Sequence, residues 1–537
     1  MGRILNDLFK DRVFLLTGLV FIISRILILR YLMYIHVYPD SSLFYEMSRG
    51  IYNLSLTEYL NDLNGRQLPL YPMLMTLSFL LGLDLKHAIW INLLPNILGF
   101  IVIYLLSLKM ENRVYRYLFL ILYIFSPTII YTLTIMCENL FIPLFLLTFY
   151  VLTDWVSQNQ SIYPLKIDKR VICLLFVFIL TILTKITGLL FLIVFLELLV
   201  ISYIPRLDRH IDYKIGVLLL LIILLGLLAY WYHPVHIHPD QLGQNLVNNL
   251  FYIIFGSYMT FWFIDWKGVT EGILSGRIDT KTVSGLTIIT GYLLISLSSS
   301  HARYLDPLLP IVIFSGLKDL SEQDWSRKGL DRDGTAVNNL RKICVFGLTL
   351  SIILLFFFRF NDDFAFYPGI FPIVFFYSHS PAFAQMLSVI YLLPLLAVVL
   401  NKEPDGAILT VGSFVFFMVI VTIYYSTLVN SQTVCDKLDQ LVSCQPPQQK
   451  IVFVGEGRWI RDCYLYLRNL HYTQILRENC TSRDICIYDK PRAYDVEVFN
   501  RYDNSSLYVR YPLASPVFNS SCGEWFNKWF GVINISR

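Results

Sequence analysis

Apolar stretches of about twenty residues recur from the N-terminus to residue 428, and this recurrence constrains the chain more than any motif in it. A soluble core has no use for so many. Hydrophobic residues make up 56% of the 537 and charged residues only 15%, too few to cover a soluble domain of this size. The pattern predicts an all-α polytopic membrane protein. Its thirteen spans fall at 13–36, 87–108, 117–133, 136–156, 171–184, 187–205, 215–232, 249–265, 282–299, 304–320, 342–360, 384–400 and 407–428.

Charge placement orients them. Twenty-two Lys and Arg residues lie at one set of span ends, from Arg3, Lys10 and Arg12 to Arg341, Lys342 and Lys402. The opposite loops before residue 429 carry Arg49, Arg66, Lys86 and Arg303. Positive residues stay on the cytoplasmic side, so the N-terminus is expected there, with a first outer loop at 37–86. Val13 to Ile35 is too long for a signal-peptide core and reads as a retained anchor. An odd number of spans puts the last segment, 429–537, outside.

The composition of that segment agrees. Six of the nine cysteines fall in it, at Cys435, Cys444, Cys463, Cys480, Cys486 and Cys522. An even set in an outward-facing segment suggests disulfides, with fifteen pairings open. Asn479, Asn504, Asn519 and Asn534 begin glycosylation sequons, and Asn53 begins a fifth in the first outer loop. After the linker Gln445-Pro446-Pro447-Gln448-Gln449, the run Ile451-Val452-Phe453-Val454 reads as a strand. Gly455-Glu456-Gly457 then reads as a turn and Arg458–Leu470 as an amphipathic helix, together a small α/β domain. The third glycine of a dinucleotide fingerprint is missing.

Polar residues within or beside the spans carry the functional signal, because charge in lipid is costly unless it serves a purpose. Arg25 and Arg30 interrupt the first span, and Arg30 is close enough to its end to snorkel. Glu138 opens the fourth span, and Lys185 joins the fifth to the sixth. His301-Ala302-Arg303-Tyr304 opens the tenth, where an arginine can grip a phosphate with two parallel hydrogen bonds. His233, His236, His238 and Asp240 suit a divalent metal by residue type, but their proline-rich spacing fits a structural loop better.

Four segments resemble one family. Tyr38-Pro39-Asp40 followed by Tyr45-Glu46-Met47 is similar to the first-loop aspartate motif of the polytopic GT-C glycosyltransferases. Within that group it is nearest the dolichyl-phosphate-mannose protein mannosyltransferases and the bacterial aminoarabinose transferase. Pro69-Leu70-Tyr71-Pro72 resembles their lysine-proline-proline-leucine-tyrosine segment, and Thr184-Lys185-Ile186-Thr187-Gly188 their lysine-containing turn. Arg303-Tyr304-Leu305 with Pro307 and Pro310 resembles their late arginine-tyrosine motif, and Glu138-Asn139-Leu140 is a fainter match. The chain departs from the pattern at Ser41, where the family often has a second acid, and at Gln67, where it has lysine.

The resemblance implies a GT-C-like catalytic domain over 1–428. It would move a sugar, mannose or another hexose, from a polyprenyl- or dolichyl-phosphate donor to a hydroxyl on a glycan, lipid or protein, at the exoplasmic face and with inversion. Asp40 would be the general base. Arg66 and Arg303 would neutralise the phosphate, with Glu46, Glu138, Lys185, His301 and Tyr304 lining the site. No cofactor is required by such a donor, no nucleic acid is involved, and a divalent metal is an option. The membrane is that of the endoplasmic reticulum or a prokaryotic plasma membrane. Two other classes fit the composition: a transporter or flippase of lipid-linked sugars, and a non-catalytic glycan-binding membrane protein.

Overall fold

The structure is a computed structural model. It describes residues 11–31, 39–53, 68–83, 85–126, 131–132, 134–159, 169–203, 242–298, 302–322, 335–357, 388–400, 438, 450–454, 463, 475–476, 485–488, 496–500 and 505–510. Two compact units emerge. One comprises residues 1–25, 94–130 and 137–425, and the other 26–93, 131–136 and 426–537.

The first unit is helical. In chain order the helices are α1 (Arg12–Tyr31), which also enters the second unit, α2 (Pro39–Tyr52) and α3 (Leu70–Leu80), which belong to the second unit, and α4 (Leu93–Ser107). There follow α5 (Arg113–Ile124), α6 (Glu138–Asn159), α7 (Lys169–Thr184), α8 (Leu190–Tyr203), α9 (Leu242–Gly256), α10 (Trp266–Ser275), α11 (Thr280–Ser298), α12 (Leu309–Glu322), α13 (Thr335–Phe357) and α14 (Leu393–Leu400). Among the described residues, Ile89–Ser107, Glu138–Ser157 and Thr280–Leu297 are long and apolar enough to cross a membrane. The expected spans 215–232 and 407–428 lie outside the described residues.

Local chemistry sets the helix ends. Asp11 precedes α1, accepting from the Val13 amide at 2.9 Å and from the Tyr104 hydroxyl, and the tyrosine bond holds its carboxyl below the usual range. Asn112 caps α5 through the Val114 amide at 2.9 Å, and Asp265 caps α10 through the Gly268 amide at 2.9 Å. Inside the apolar helices, hydroxyls bond back to the preceding turn, as Thr148 does to the Leu144 carbonyl at 2.9 Å. Arg25 is buried. It donates to the Ile124 carbonyl at 2.8 Å, where the negative end of α5 receives its charge.

Two boundaries differ from expectation. The third span was expected to run to 133, but α5 ends at Ile124, shortly before the Ser126-Pro127 pair that disfavours helix. The eighth was expected to be continuous over 249–265, but α9 ends at Gly256. Tyr258 and Met259 there adopt left-handed backbone, with φ of 53° and 65°. The chain continues as a single 3-10 turn over Thr260–Phe263. Gly316 of α12 lies directly against that turn, and a Cβ on it would fall 2.1 Å from the Thr260 carbonyl oxygen. At Gly99, where α4 meets α5 and α6, a Cβ would fall 2.5 Å from the Tyr123 hydroxyl and 3.3 Å from Pro143.

The second unit contains α2, α3, the helical lead-in Leu85–Asn92, the stretch 131–136 and a five-stranded sheet. Its strands are β1 (Ile451–Val454), β2 (Ile475–Leu476), β3 (Ile485–Tyr488), β4 (Val496–Asn500) and β5 (Ser505–Arg510), in the order β2-β1-β3-β5-β4. β1 runs parallel to β2 and β3, whereas β5 is antiparallel to both β3 and β4. Ile451, Val452 and Phe453 are all buried, as befits a strand inside a parallel sheet. Cys463 and Cys486 are buried and disulfide-bonded. Of the helix expected over Arg458–Leu470, only Cys463 is among the described residues.

Candidate functional site

Three elements of the helical unit bring charged residues together. Glu138 is the first residue of α6, at 2% exposure. Lys185 follows α7 in extended conformation, φ −157° and ψ 133°, before a 3-10 turn over Ile186–Leu189. Arg303 and Tyr304 lie in a 3-10 turn over Ala302–Leu305, just ahead of α12. Helix ends with prolines or glycines nearby leave these residues at the end of the bundle where α6 and α12 begin.

The geometry is close. Lys185 Nζ donates to Glu138 Oε1 at 2.6 Å and lies 4.3 Å from the centre of the Tyr304 ring and 5.7 Å from that of Phe141. The Arg303 guanidinium is 5.4 Å from the Tyr304 ring centre. Cys137 Sγ donates to the other carboxylate oxygen, Oε2, at 3.4 Å. Desolvating such a pair is costly unless the geometry is good, and here it is. Lys185 and Arg303 thus share one aromatic ring, with Glu138 against the lysine. Two cations around an aromatic face suit an anion arriving beside an apolar body.

Other expected site residues are placed differently. Asp40 is the second residue of α2, which begins at Pro39, so it lies in the first helical turn. Glu46, also on α2, faces Arg49 at 3.6 Å, and Arg49 lies 5.9 Å from the Tyr45 ring centre. Tyr71, from the proline-flanked segment, heads a buried network in the second unit. Its hydroxyl donates to Asn92 Oδ1 at 2.9 Å, and Asn92 Nδ2 donates to the carbonyls of Thr132 and Thr134 at 3.3 and 2.8 Å. Arg66, His301 and the loop with His233, His236, His238 and Asp240 lie outside the described residues. Among the described residues, no group of three His, Cys, Asp or Glu could hold a metal ion.

Three buried polar features escaped the sequence reading. Asn92 and its carbonyl partners carry no motif. Glu197, wholly buried in the apolar α8, has both carboxylate oxygens 3.0 Å from the Thr290 hydroxyl. An acid inside an apolar run was the available signal. Asp306, wholly buried, accepts from the Tyr252 hydroxyl and stands three residues after Arg303.

No protein-family model and no curated protein sequence matches the chain. Solved structures do. The crystal structure of ArnT from Cupriavidus metallidurans bound to undecaprenyl phosphate aligns over 93% of this chain and 99% of that one, at 14% identity and a TM-score of 0.54. The apo structure of the same protein aligns over 93% of this chain and 100% of that one, at 12% identity and a TM-score of 0.47. Over nearly its whole length, this chain has the polytopic GT-C fold of the aminoarabinose transferase.

Proposed function

We propose that the chain is a membrane glycosyltransferase taking a sugar from a polyprenyl-phosphate donor. The carrying observation is the convergence of Lys185 and Arg303 on the Tyr304 ring, with Glu138 against the lysine. The fold supports it, since the ArnT structure that shares it holds undecaprenyl phosphate.

In this reading Lys185 and Arg303 receive the donor phosphate, with Arg66 as a third cation. An acceptor hydroxyl attacks the anomeric carbon and its proton passes to Asp40. The bond from that carbon to the phosphate oxygen breaks, with inversion, and the lipid phosphate leaves carrying added negative charge. Fixed cations stabilise that charge as it develops. Glu138 holds Lys185 in place. The sugar is a hexose, mannose foremost. The chain crosses the membrane thirteen times with its N-terminus cytoplasmic, and 429–537 is an exoplasmic domain with disulfides and glycans. Chelation would test the His233–Asp240 loop for a divalent metal.

The deciding test is sugar transfer in proteoliposomes from labelled polyprenyl-phosphate mannose, glucose and aminoarabinose. Wild-type transfer from one donor, reduced by on the order of 10²–10⁴ in Asp40→Asn at equal protein level, is the expected result. Full activity of Asp40→Asn would remove Asp40 as the base. Failure of the wild type to bind polyprenyl phosphate would overturn the reading.

A further inference from the structure

The turn that carries Arg303 and Tyr304 is anchored by a wholly buried carboxylate. The Asp306 amide bonds back to the Arg303 carbonyl at 3.2 Å and closes the turn. Its carbonyl accepts the Leu309 amide at 3.2 Å, which starts α12. Its side chain is wholly buried and accepts from the Tyr252 hydroxyl of α9, itself wholly buried. That stretch of α9 is tied in turn to α11. Asn249 Nδ2 donates to Ser296 Oγ at 3.1 Å, and the Tyr292 hydroxyl donates to the Leu246 carbonyl at 2.9 Å.

Burying a carboxylate is costly even with good partners. An apolar residue would start α12 at less cost. Asp306 does what an apolar residue could not: it fixes the azimuth of a four-residue turn through a directional bond to a neighbouring helix. That turn bears Arg303 and Tyr304, and the Tyr304 ring stands 4.3 Å from Lys185 Nζ. A displacement of about 1 Å at such a site costs up to 10²-fold.

We propose that Asp306, held by Tyr252, is a positioning residue that aims Arg303 and Tyr304 at the donor phosphate beside Lys185. This rests on the phosphate-binding reading above. Its specific content is the tether between Asp306 and Tyr252, not the charge of Asp306.

The test is equilibrium binding of polyprenyl phosphate to the full-length purified protein, with KM and kcat for the donor measured alongside. Tyr252→Phe removes one hydroxyl and no volume, and is expected to weaken binding and raise KM by about tenfold with kcat within about twofold. Asp306→Ala is expected to do the same. Asp306→Asn, whose amide oxygen still accepts from Tyr252, is expected to restore binding to within about threefold of wild type. Unchanged binding in Tyr252→Phe overturns the proposal while leaving the phosphate site standing. So does Asp306→Asn behaving like Asp306→Ala, since charge rather than tether would then matter. If wild type binds no polyprenyl phosphate, the phosphate reading and this inference both fall.

Discussion

Two lysines of the helical unit invite comparison, one at each end of the bundle. Lys185 meets one carboxylate, an aromatic ring and the neighbourhood of a second cation. Lys281, at the start of α11, meets three carboxylates: Asp265 at 3.3 Å, Asp319 at 3.6 Å and Glu322 at 3.2 Å. Glu322 also pairs with Lys318. Three acids against two bases leave no positive charge to offer, so the Lys281 cluster is complete in itself and ties α10, α11 and α12 together. The Lys185 cluster pairs its lysine with a single carboxylate and sets an arginine at the same aromatic ring. A lysine among three carboxylates is an architectural joint, whereas one that shares a ring with an arginine has company suited to an anion.

Replacing each lysine by methionine should separate the two roles most sharply. Lys185→Met should reduce sugar transfer by on the order of 10²–10³, because the cation proposed to face the leaving phosphate is gone, and should also lower stability, since the buried Glu138 loses its 2.6 Å partner. Lys281→Met should leave transfer within a few-fold while costing about 2 kcal/mol of stability, since the buried Asp319 loses its counter-charge. Transfer assays beside thermal unfolding decide it. Loss of transfer in both, or in neither, would erase the distinction.

Glu138→Gln probes the same contrast from the acid side. Lys185 would keep an acceptor but lose the negative charge of its 2.6 Å partner, and transfer should fall by about tenfold through a looser hold on the ammonium. Affinity for polyprenyl phosphate should hold or rise, because the cluster becomes more positive. A fall in affinity matching the fall in turnover would mean that Glu138 touches the donor itself.

The smallest effect belongs to a third lysine, set just beyond the end of α4. Lys109 donates to the Thr153 hydroxyl at 2.9 Å and lies 5.0 Å from the Tyr150 ring centre. Burial pushes its ammonium down to about 8 from 10.5. Folding therefore releases a proton. The stability linked to this group is present in full above about 10.5 and is lost as the pH falls towards about 8. Unfolding midpoints of wild type should rise across that window relative to Lys109→Met, and parallel curves would refute the assignment.

Much of the site was legible because charge in apolar surroundings needs a reason. Glu138, Lys185, Arg303 and Tyr304 stood out one by one beside predicted helices, and the structure gathers them into one cluster. The end of α5 was written in Ser126-Pro127, although the apolar run continued past it. The break after Gly256 was not readable. Tyr258 and Met259 carry no turn chemistry, and the bend accompanies the close approach of Gly316 from a helix far along the chain. Glu197, Asp306 and Asn92 escaped for a related reason: an isolated polar residue has no spacing to read, and its partners belong to other helices.

The hold of Asn92 on the carbonyls of Thr132 and Thr134 acts on backbone alone. Recognition through backbone oxygen is indifferent to side-chain identity. The hold itself therefore places no demand on which side chains residues 132 and 134 carry, only on the path of their backbone. Tyr71 and Asn92 act through their side chains, so loss of either leaves the other's buried group without this bond. A backbone path leading to Glu138 is in this way held by a side-chain pair with no motif along the path itself.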